Sequence, residues 1–212
     1  MLLLLAVIVF SFNSCIGVSM DIEINRNGSA RLVLEYRISN ILNSLGRLDG
    51  NESMPVIPAG RLDWERTAQR IPGMTISSHS MRETSHDTLI NAALDFSNIS
   101  ALSTFLSSSG AKTSIIHNDR TGSFDITIFN KSEAAYDEDL IALMETVFSG
   151  YNFSLKFIAP QNCTVTITNG QGRTIGAPAA AAVSSQGRNV SLSMNIMDLI
   201  GLRDGLGVII NW

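Results

Sequence analysis

The stretch VSMDIEINRNGSARLVLEYRI, residues 18–38, decides the local architecture at the start of this chain. Apolar and polar residues alternate over 18–24, and this period of two predicts a half-buried β-strand. The sequence Asn-Arg-Asn-Gly at 25–28 predicts a tight turn, because Asn and Gly adopt positive φ at low cost. The alternation then returns with Leu32, Leu34, Tyr36 and Ile38 on one side. The stretch therefore predicts a β-hairpin.

Clusters of strands and helices follow this hairpin along the chain. Further strands are predicted at Met74–Met81, His86–Phe96, Lys112–His117, Ser123–Phe129, Phe153–Ile158, Cys163–Thr168, Val190–Ile196 and Gly207–Trp212. Helical spacing is found at Ile38–Leu45, Leu62–Arg70, Leu102–Leu106 (capped by Asn98 or Ser100), Asp139–Phe148 and, as a short turn, Met197–Leu202. The Gly/Ala-rich segment at about 169–186 is interpreted as a loop. This order predicts an α+β fold, with a mainly antiparallel sheet built from hairpins and three to four helices packed against it.

The amino terminus carries the most specific functional signal. The apolar run Leu2–Phe12 is eleven residues long, too short for a bilayer span of ~20 residues. It fits the apolar region of a secretion signal, and Ser14 followed by Cys15 resembles a loose, spirochaete-like lipoprotein processing site. We therefore expect a signal peptide at 1–14, acylation (palmitate) of Cys15, and a single envelope-facing domain over 15–212.

Two features of this segment keep alternatives open. No Lys or Arg precedes the apolar run, and Phe12 and Asn13 fit the usual processing pattern poorly. An ordinary cleavable signal or a buried amino-terminal strand are the other interpretations. The chain also has two cysteines, and a Cys15–Cys163 disulfide would compete with acylation.

Composition limits the classes of partner. The net charge is −4 and the pI is about 5.3, so the basic surface that nucleic acids require is not expected. Charged residues make up 16% of the chain, against ~25% in average domains. The polar positions are filled by Ser, Thr and Asn instead, which suits a protein of the cell envelope.

Chemistry-bearing residues form no recognisable catalytic or metal motif. The densest group is His79, Glu83, His86 and Asp87; these residue types suit Zn²⁺, but their spacing matches no known ligand pattern. A solvent-exposed hairpin tip explains them. The acidic residues at 137–139 suit the first turn of a helix. We therefore expect no catalytic residue, no metal and no cofactor.

A set of large apolar residues gives the candidate ligand contacts. We assign Trp64, Leu143, Phe148 and Phe153 as candidates for lining a groove between sheet and helices. Packing in the core is the alternative for each of them. An exposed Trp64 would favour contact with a membrane, because Trp prefers interfaces.

Four segments carry a resemblance to a known family: Cys15 followed by VSMDIEINRNGSARLVLEY, then RIPGMTISSHS, LINAALDF and the closing GRNVSLSMNIMDL…GVIINW. Together they resemble the LppM-like bacterial lipoproteins, which are α+β domains that follow a lipoprotein processing site. The resemblance implies a role in the envelope, contact with lipids or glycolipids, and no established catalysis.

The sequence thus predicts a non-catalytic, lipid-anchored protein of the bacterial cell envelope. Its partners would be the membrane, through the acyl anchor, and a lipid, glycolipid or other apolar ligand at the membrane surface. The alternative is a structural or partner-binding module of an envelope protein complex. An enzyme would require His79, Glu83 and His86 to converge in one pocket.

Overall fold

The described part of the chain is mostly β in structure. The computed structural model describes residues 17–39, 60–108, 112–117, 121–129 and 150–212. Strands hold 54% of these residues and helices 17%. The predicted α+β fold, a sheet with three to four helices packed on it, is therefore wrong: the described residues form two sheets and three helices.

The described elements are each five to ten residues long. The strands are β1 (Val18–Ile24), β2 (Ala30–Ser39), β3 (Met74–Glu83), β4 (Asp87–Phe96), β5 (Lys112–His117), β6 (Gly122–Phe129), β7 (Asn152–Ile158), β8 (Thr164–Thr168), β9 (Ala182–Gln186), β10 (Asn189–Asn195) and β11 (Leu206–Asn211). The helices are α1 (Arg61–Arg70), α2 (Ile99–Ser108) and α3 (Ile196–Ile200).

Seven strands form one mixed sheet, called the large sheet, in the order β3-β4-β2-β1-β7-β10-β9. Its neighbours are antiparallel except for β1 and β7, which run parallel with Asp21 opposite Lys156. The other four strands form an antiparallel small sheet in the order β5-β6-β11-β8. The chain therefore passes between the two sheets several times in its second half.

The small sheet covers part of one face of the large sheet, which we call the core face. The rings of Phe124 on β6 and Phe157 on β7 have centroids 4.9 Å apart, and Trp212 packs on Phe157 at 5.8 Å. Phe124 and Phe157 are fully buried. A second sheet therefore covers apolar surface that the sequence assigns to helices, which is the physical reason for the difference in fold class.

Helices cover another part of the core face. Trp64 of α1 stacks on Phe105 of α2 at 6.2 Å, and Phe105 lies 5.8 Å from Phe96 of β4. Helix α2 begins where Asn98 accepts a hydrogen bond from the amide of Ala101 at 2.9 Å. This satisfies an amide that the helix itself leaves unpaired, and it confirms the predicted Asn98 cap.

Local sequence patterns give most of the elements correctly. The hairpins β1–β2, β3–β4 and β5–β6 are confirmed, and so is the helix predicted at Leu62–Arg70. Strand β9 lies at the end of the segment predicted as a loop. The predicted helix at Asp139–Phe148 lies outside the described residues. Of the one at Ile38–Leu45, the first two residues belong to β2 and the rest lie outside them.

Candidate functional site

The second face of the large sheet, called here the open face, is polar. Side chains alternate along each strand, so the core-facing Ile22 and Ile24 of β1 place Asp21 and Glu23 on the open face. The same alternation puts Lys156 of β7 and Ser191 of β10 beside them, because these residues are register partners. The open face therefore presents side chains from strands far apart in sequence.

A cavity of about 390 Å³ lies on this open face, where β2, β1, β7, β10 and β9 adjoin. Its volume is within the range of small-molecule sites, about 300–1,000 Å³. Aliphatic surface comes from Val33 and Ile158, and the polar lining includes Asp21, Glu23, Arg31, Lys156, Gln186 and Asn189. We call it the open-face cavity.

Opposite charges balance within the open-face cavity. Lys156 Nζ lies 3.5 Å from Asp21 Oδ2, while Asp21 Oδ1 is buried and has no hydrogen-bond partner. Arg31 pairs outside the cavity with Asp95 at 3.1 Å. The two cations and two carboxylates of the lining cancel in formal charge, so the cavity offers hydrogen bonds rather than a strong field of one sign.

Several polar groups of the cavity have unused hydrogen-bonding capacity. The side chains of Glu23, Gln186 and Asn189 make no hydrogen bond or ion pair with any described residue. The two amides can donate and accept, and the Glu23 carboxylate can accept. This combination above aliphatic surface can hold a hydroxyl-bearing or zwitterionic group.

A second polar cluster lies where β1 begins. Tyr151 donates a hydrogen bond of 2.5 Å to Asp87 Oδ1. Arg37 Nε lies 3.5 Å from Asp87 Oδ2, and each of these two side chains is 14% exposed. The guanidinium also lies 5.9 Å from the centre of the Tyr151 ring. The cluster ties β2, β4 and the segment before β7 together beside Gly17, whose amide donates to Asn152 O at 3.0 Å.

The described candidates for ligand contact lie in the core. Trp64 is 1% exposed and Phe153 is 5% exposed, so Trp64 does not have the exposed position that would favour membrane contact. Leu143, Phe148 and the acylation candidate Cys15 lie outside the described residues. A ligand role for these four apolar residues stays a prediction, and the geometry of the two described ones gives it no support.

The His/acidic group of the β3–β4 hairpin does not form a pocket. His79 packs against Trp64 with ring centroids 6.5 Å apart, whereas Glu83 and His86 are exposed near the end of the hairpin. Among the described residues, no group of three or more His, Cys, Asp or Glu side chains is placed to hold a metal ion.

Burial raises the pKa of two side chains among the described residues. Burial first, and then the charge of Asp63, raise the pKa of the Tyr36 phenol well above its usual range. Burial also raises the pKa of the Cys163 thiol. Cys163 Sγ lies 3.5 Å from Gly187 O. Cys15 lies outside the described residues, so the alternative Cys15–Cys163 disulfide stays a prediction.

The sequence did not single out the residues that line the open-face cavity. Period-two alternation places Asp21 and Glu23 on the polar side of their strand, and that signal was available. It does not say which strand lies beside them, and Lys156 is 135 residues from Asp21. Gln186 belongs to β9, which lies in the segment that the sequence predicts to be a loop, so no sequence signal places this side chain on a sheet.

No described helix is long and apolar enough to cross a membrane.

Comparison with known proteins finds one weak structural resemblance. The chain matches no protein-family model and no curated protein. Among solved structures it weakly resembles the folded domain of Mycobacterium tuberculosis LppM, determined by NMR, with 9% identity, a TM-score of 0.35, and coverage of 86% of this chain and 91% of that one. A likeness at this level does not establish a shared fold, so membership of that family stays a prediction.

Proposed function

We propose that this chain is a non-catalytic lipoprotein of the bacterial cell envelope, anchored through acylated Cys15. Its open-face cavity binds the polar headgroup of a lipid or glycolipid. The observation that carries the proposal is that this cavity is built on β1, the strand that begins three residues after Cys15. Anchor and cavity therefore share one short piece of chain.

The distances suit a headgroup that projects outward from the membrane, as that of a glycolipid does. Gly17 is two positions after Cys15, and this length of chain spans at most ~7 Å. Asp21 lies four residues further along the extended strand, ~13 Å from Gly17. The cavity is thus within about 20 Å of the anchoring residue along the chain.

The lining suits a headgroup that carries both polar groups and carbon surface. The groove predicted from the sequence includes Leu143 and Phe148, which lie outside the described residues. The open-face cavity combines two amides and the Glu23 carboxylate, none of which pairs with a described residue, with aliphatic surface from Val33 and Ile158. Hydroxyl groups would satisfy the amides of Gln186 and Asn189, while the aliphatic surface would pack against carbon atoms of the same headgroup.

Mass spectrometry of the protein from its native cell tests the anchor. We expect an amino-terminal Cys15 carrying acyl chains, and we expect the variant Cys15→Ala to lose them. An intact Met1, or cleavage without acylation, would contradict the anchor.

Analysis of co-purified lipids tests the binding site. We expect the double variant Gln186→Ala/Asn189→Ala to lose most of the lipid that the acylated wild type retains. Asn91→Ala is the matched control, because Asn91 is an amide on the same face in β4 and does not line the cavity. Equal lipid retention in the two variants would remove the cavity from the proposal.

A second candidate function, a partner-binding module of an envelope complex, is favoured by one observation. Strand β9 has one neighbour among the described residues, β10, and its sequence AVSSQ carries no charge. Edge strands of this kind pair readily with another chain. The variant Ser185→Lys would abolish such pairing, and its failure to change the complexes isolated from the envelope would count against this function.

A further inference from the structure

One end of the large sheet is defined by the residue that follows the anchor segment. Gly17 precedes β1, and its carbonyl accepts from the amide of Arg37 near the end of β2. Arg37 of β2 is the register partner of Leu89 in the neighbouring strand β4. The turn at 84–86, between β3 and β4, therefore lies at the same end of the sheet as Gly17, whereas the β1–β2 turn at 25–29 lies at the opposite end.

The β3–β4 turn extends beyond Gly17 in the strand direction. Asp87 begins β4 two residues before Leu89, and two residues of strand measure ~7 Å. The same length of chain limits how far Cys15 can lie from Gly17. The turn therefore reaches as far from the sheet as the acylated residue can.

Hydrogen bonds hold this turn in a fixed position relative to Gly17. The amide and hydroxyl of Thr84 donate to the carbonyl of Asp87 at 2.7 and 2.9 Å. Asp87 in turn accepts from Tyr151 at 2.5 Å. A Cβ added to Gly17 would lie only 3.0 Å from Cβ of Tyr151, so this chain of contacts runs directly from the turn to the start of β1.

The surface at this end suits a lipid headgroup layer. Met81 is 49% exposed, and residues 82–86, Arg-Glu-Thr-Ser-His, are all exposed. On the other side of Gly17, α3 presents the partly exposed Met197 and Ile200. Arg82 can pair with lipid phosphates, and the sulfur-containing side chains offer apolar surface at the interface.

The geometry points to the β3–β4 turn at 84–86, together with the adjoining end of β3, Met81–Glu83, as a second membrane contact that docks in the headgroup layer beside the acyl anchor. This inference rests on the proposed acylation of Cys15. It goes further in fixing the pose: the large sheet stands with its Gly17 end on the lipid and the β1–β2 turn, about 23 Å away along the seven residues of β1, in water.

Fluorescent labels at the two ends of the sheet test this pose. In full-length, acylated protein with Cys163→Ser, single variants Ser85→Cys and Asn27→Cys carry an environment-sensitive dye. The protein is reconstituted in vesicles of phosphatidylethanolamine and phosphatidylglycerol. We expect a blue shift, and quenching by headgroup-labelled lipid, at position 85 and neither effect at position 27. Both sites are exposed turn positions, and circular dichroism checks that each variant is folded.

Each outcome of this experiment is decisive. A water-exposed dye at position 85 in vesicle-bound, acylated protein overturns the contact and leaves the anchor intact. Equal shifts at positions 85 and 27 mean that the sheet lies flat, which also overturns the proposed pose. Protein that does not float with the vesicles, and whose Cys15 is unmodified by mass spectrometry, overturns the proposed function and this inference together. Arg82→Glu should weaken the quenching at position 85 without releasing the protein.

Discussion

The two faces of the large sheet use the same strands for different purposes. On the core face, Phe157 is fully buried against Phe124 and Trp212. On the open face, the adjacent Lys156 is 62% exposed in its side chain and pairs with Asp21. Since neighbours in a strand point to opposite faces, one residue of sequence separates stabilising contacts from a candidate binding surface. Substitutions at adjacent positions should therefore have different effects.

The largest effect is expected at the core face. Phe157→Ala would remove a buried ring that packs on two other aromatic rings. Such truncations cost about 3–5 kcal/mol of unfolding free energy because they leave a cavity. Urea denaturation followed by circular dichroism measures the loss.

The matched control is Lys156→Ala, one position away on the open face. Exposed ion pairs contribute ~0–1 kcal/mol, so the free energy of unfolding should change little. A loss from Lys156→Ala as large as that from Phe157→Ala would contradict the distinction between the two faces.

Part of this arrangement could be predicted from sequence. The hairpin β1–β2 has both its alternation and its Asn-Arg-Asn-Gly turn within 21 consecutive residues. The pairing of β1 with β7 joins Asp21 to Lys156 across the chain. No local pattern specifies such a pairing, because the same apolar alternation suits many neighbours.

The prediction of the fold class is wrong for a related reason. The apolar face of the large sheet must be covered, and helices at Leu62–Arg70 and near Asn98 supplied one available cover. The small sheet supplies another, through Phe124 of β6 and Trp212, the residue that follows β11. Sequence patterns show that a face is apolar but do not show whether a helix or a sheet covers it.

The second prediction concerns Asp87, whose hydrogen bond from Tyr151 we expect to stabilise the fold although other polar contacts of the open face contribute little. Tyr151→Phe would remove the hydrogen bond to Asp87, whose side chain is only 14% exposed in its pair with Arg37. Hydrogen bonds to charged groups contribute about 1.5–3 kcal/mol, so a loss in this range is expected by urea denaturation. A change near zero would show that the open face contributes little to stability even beside Gly17.

The pair Arg31–Asp95 gives the third prediction and a direct contrast. It lies on the same face, but its side chains are 48% and 45% exposed. We expect a coupling energy of about 0.2–1 kcal/mol from a double-mutant cycle with Arg31→Ala and Asp95→Ala, because solvent and salt screen the pair. The coupling should fall at high salt; a salt-independent coupling above this range would contradict the screened environment.

The smallest effect on stability is expected at Gln186. Its side chain is exposed and makes no hydrogen bond with the described residues, so Gln186→Ala should change the free energy of unfolding by no more than about 0.5 kcal/mol. The same variant should lose co-purified lipid, because the amide lines the open-face cavity. Retained stability with lost lipid would separate binding from folding on this face, as the alternation of the strands predicts. Loss of both would mean that β9 stabilises the sheet through Gln186, and loss of neither would leave the cavity without a role for its amide.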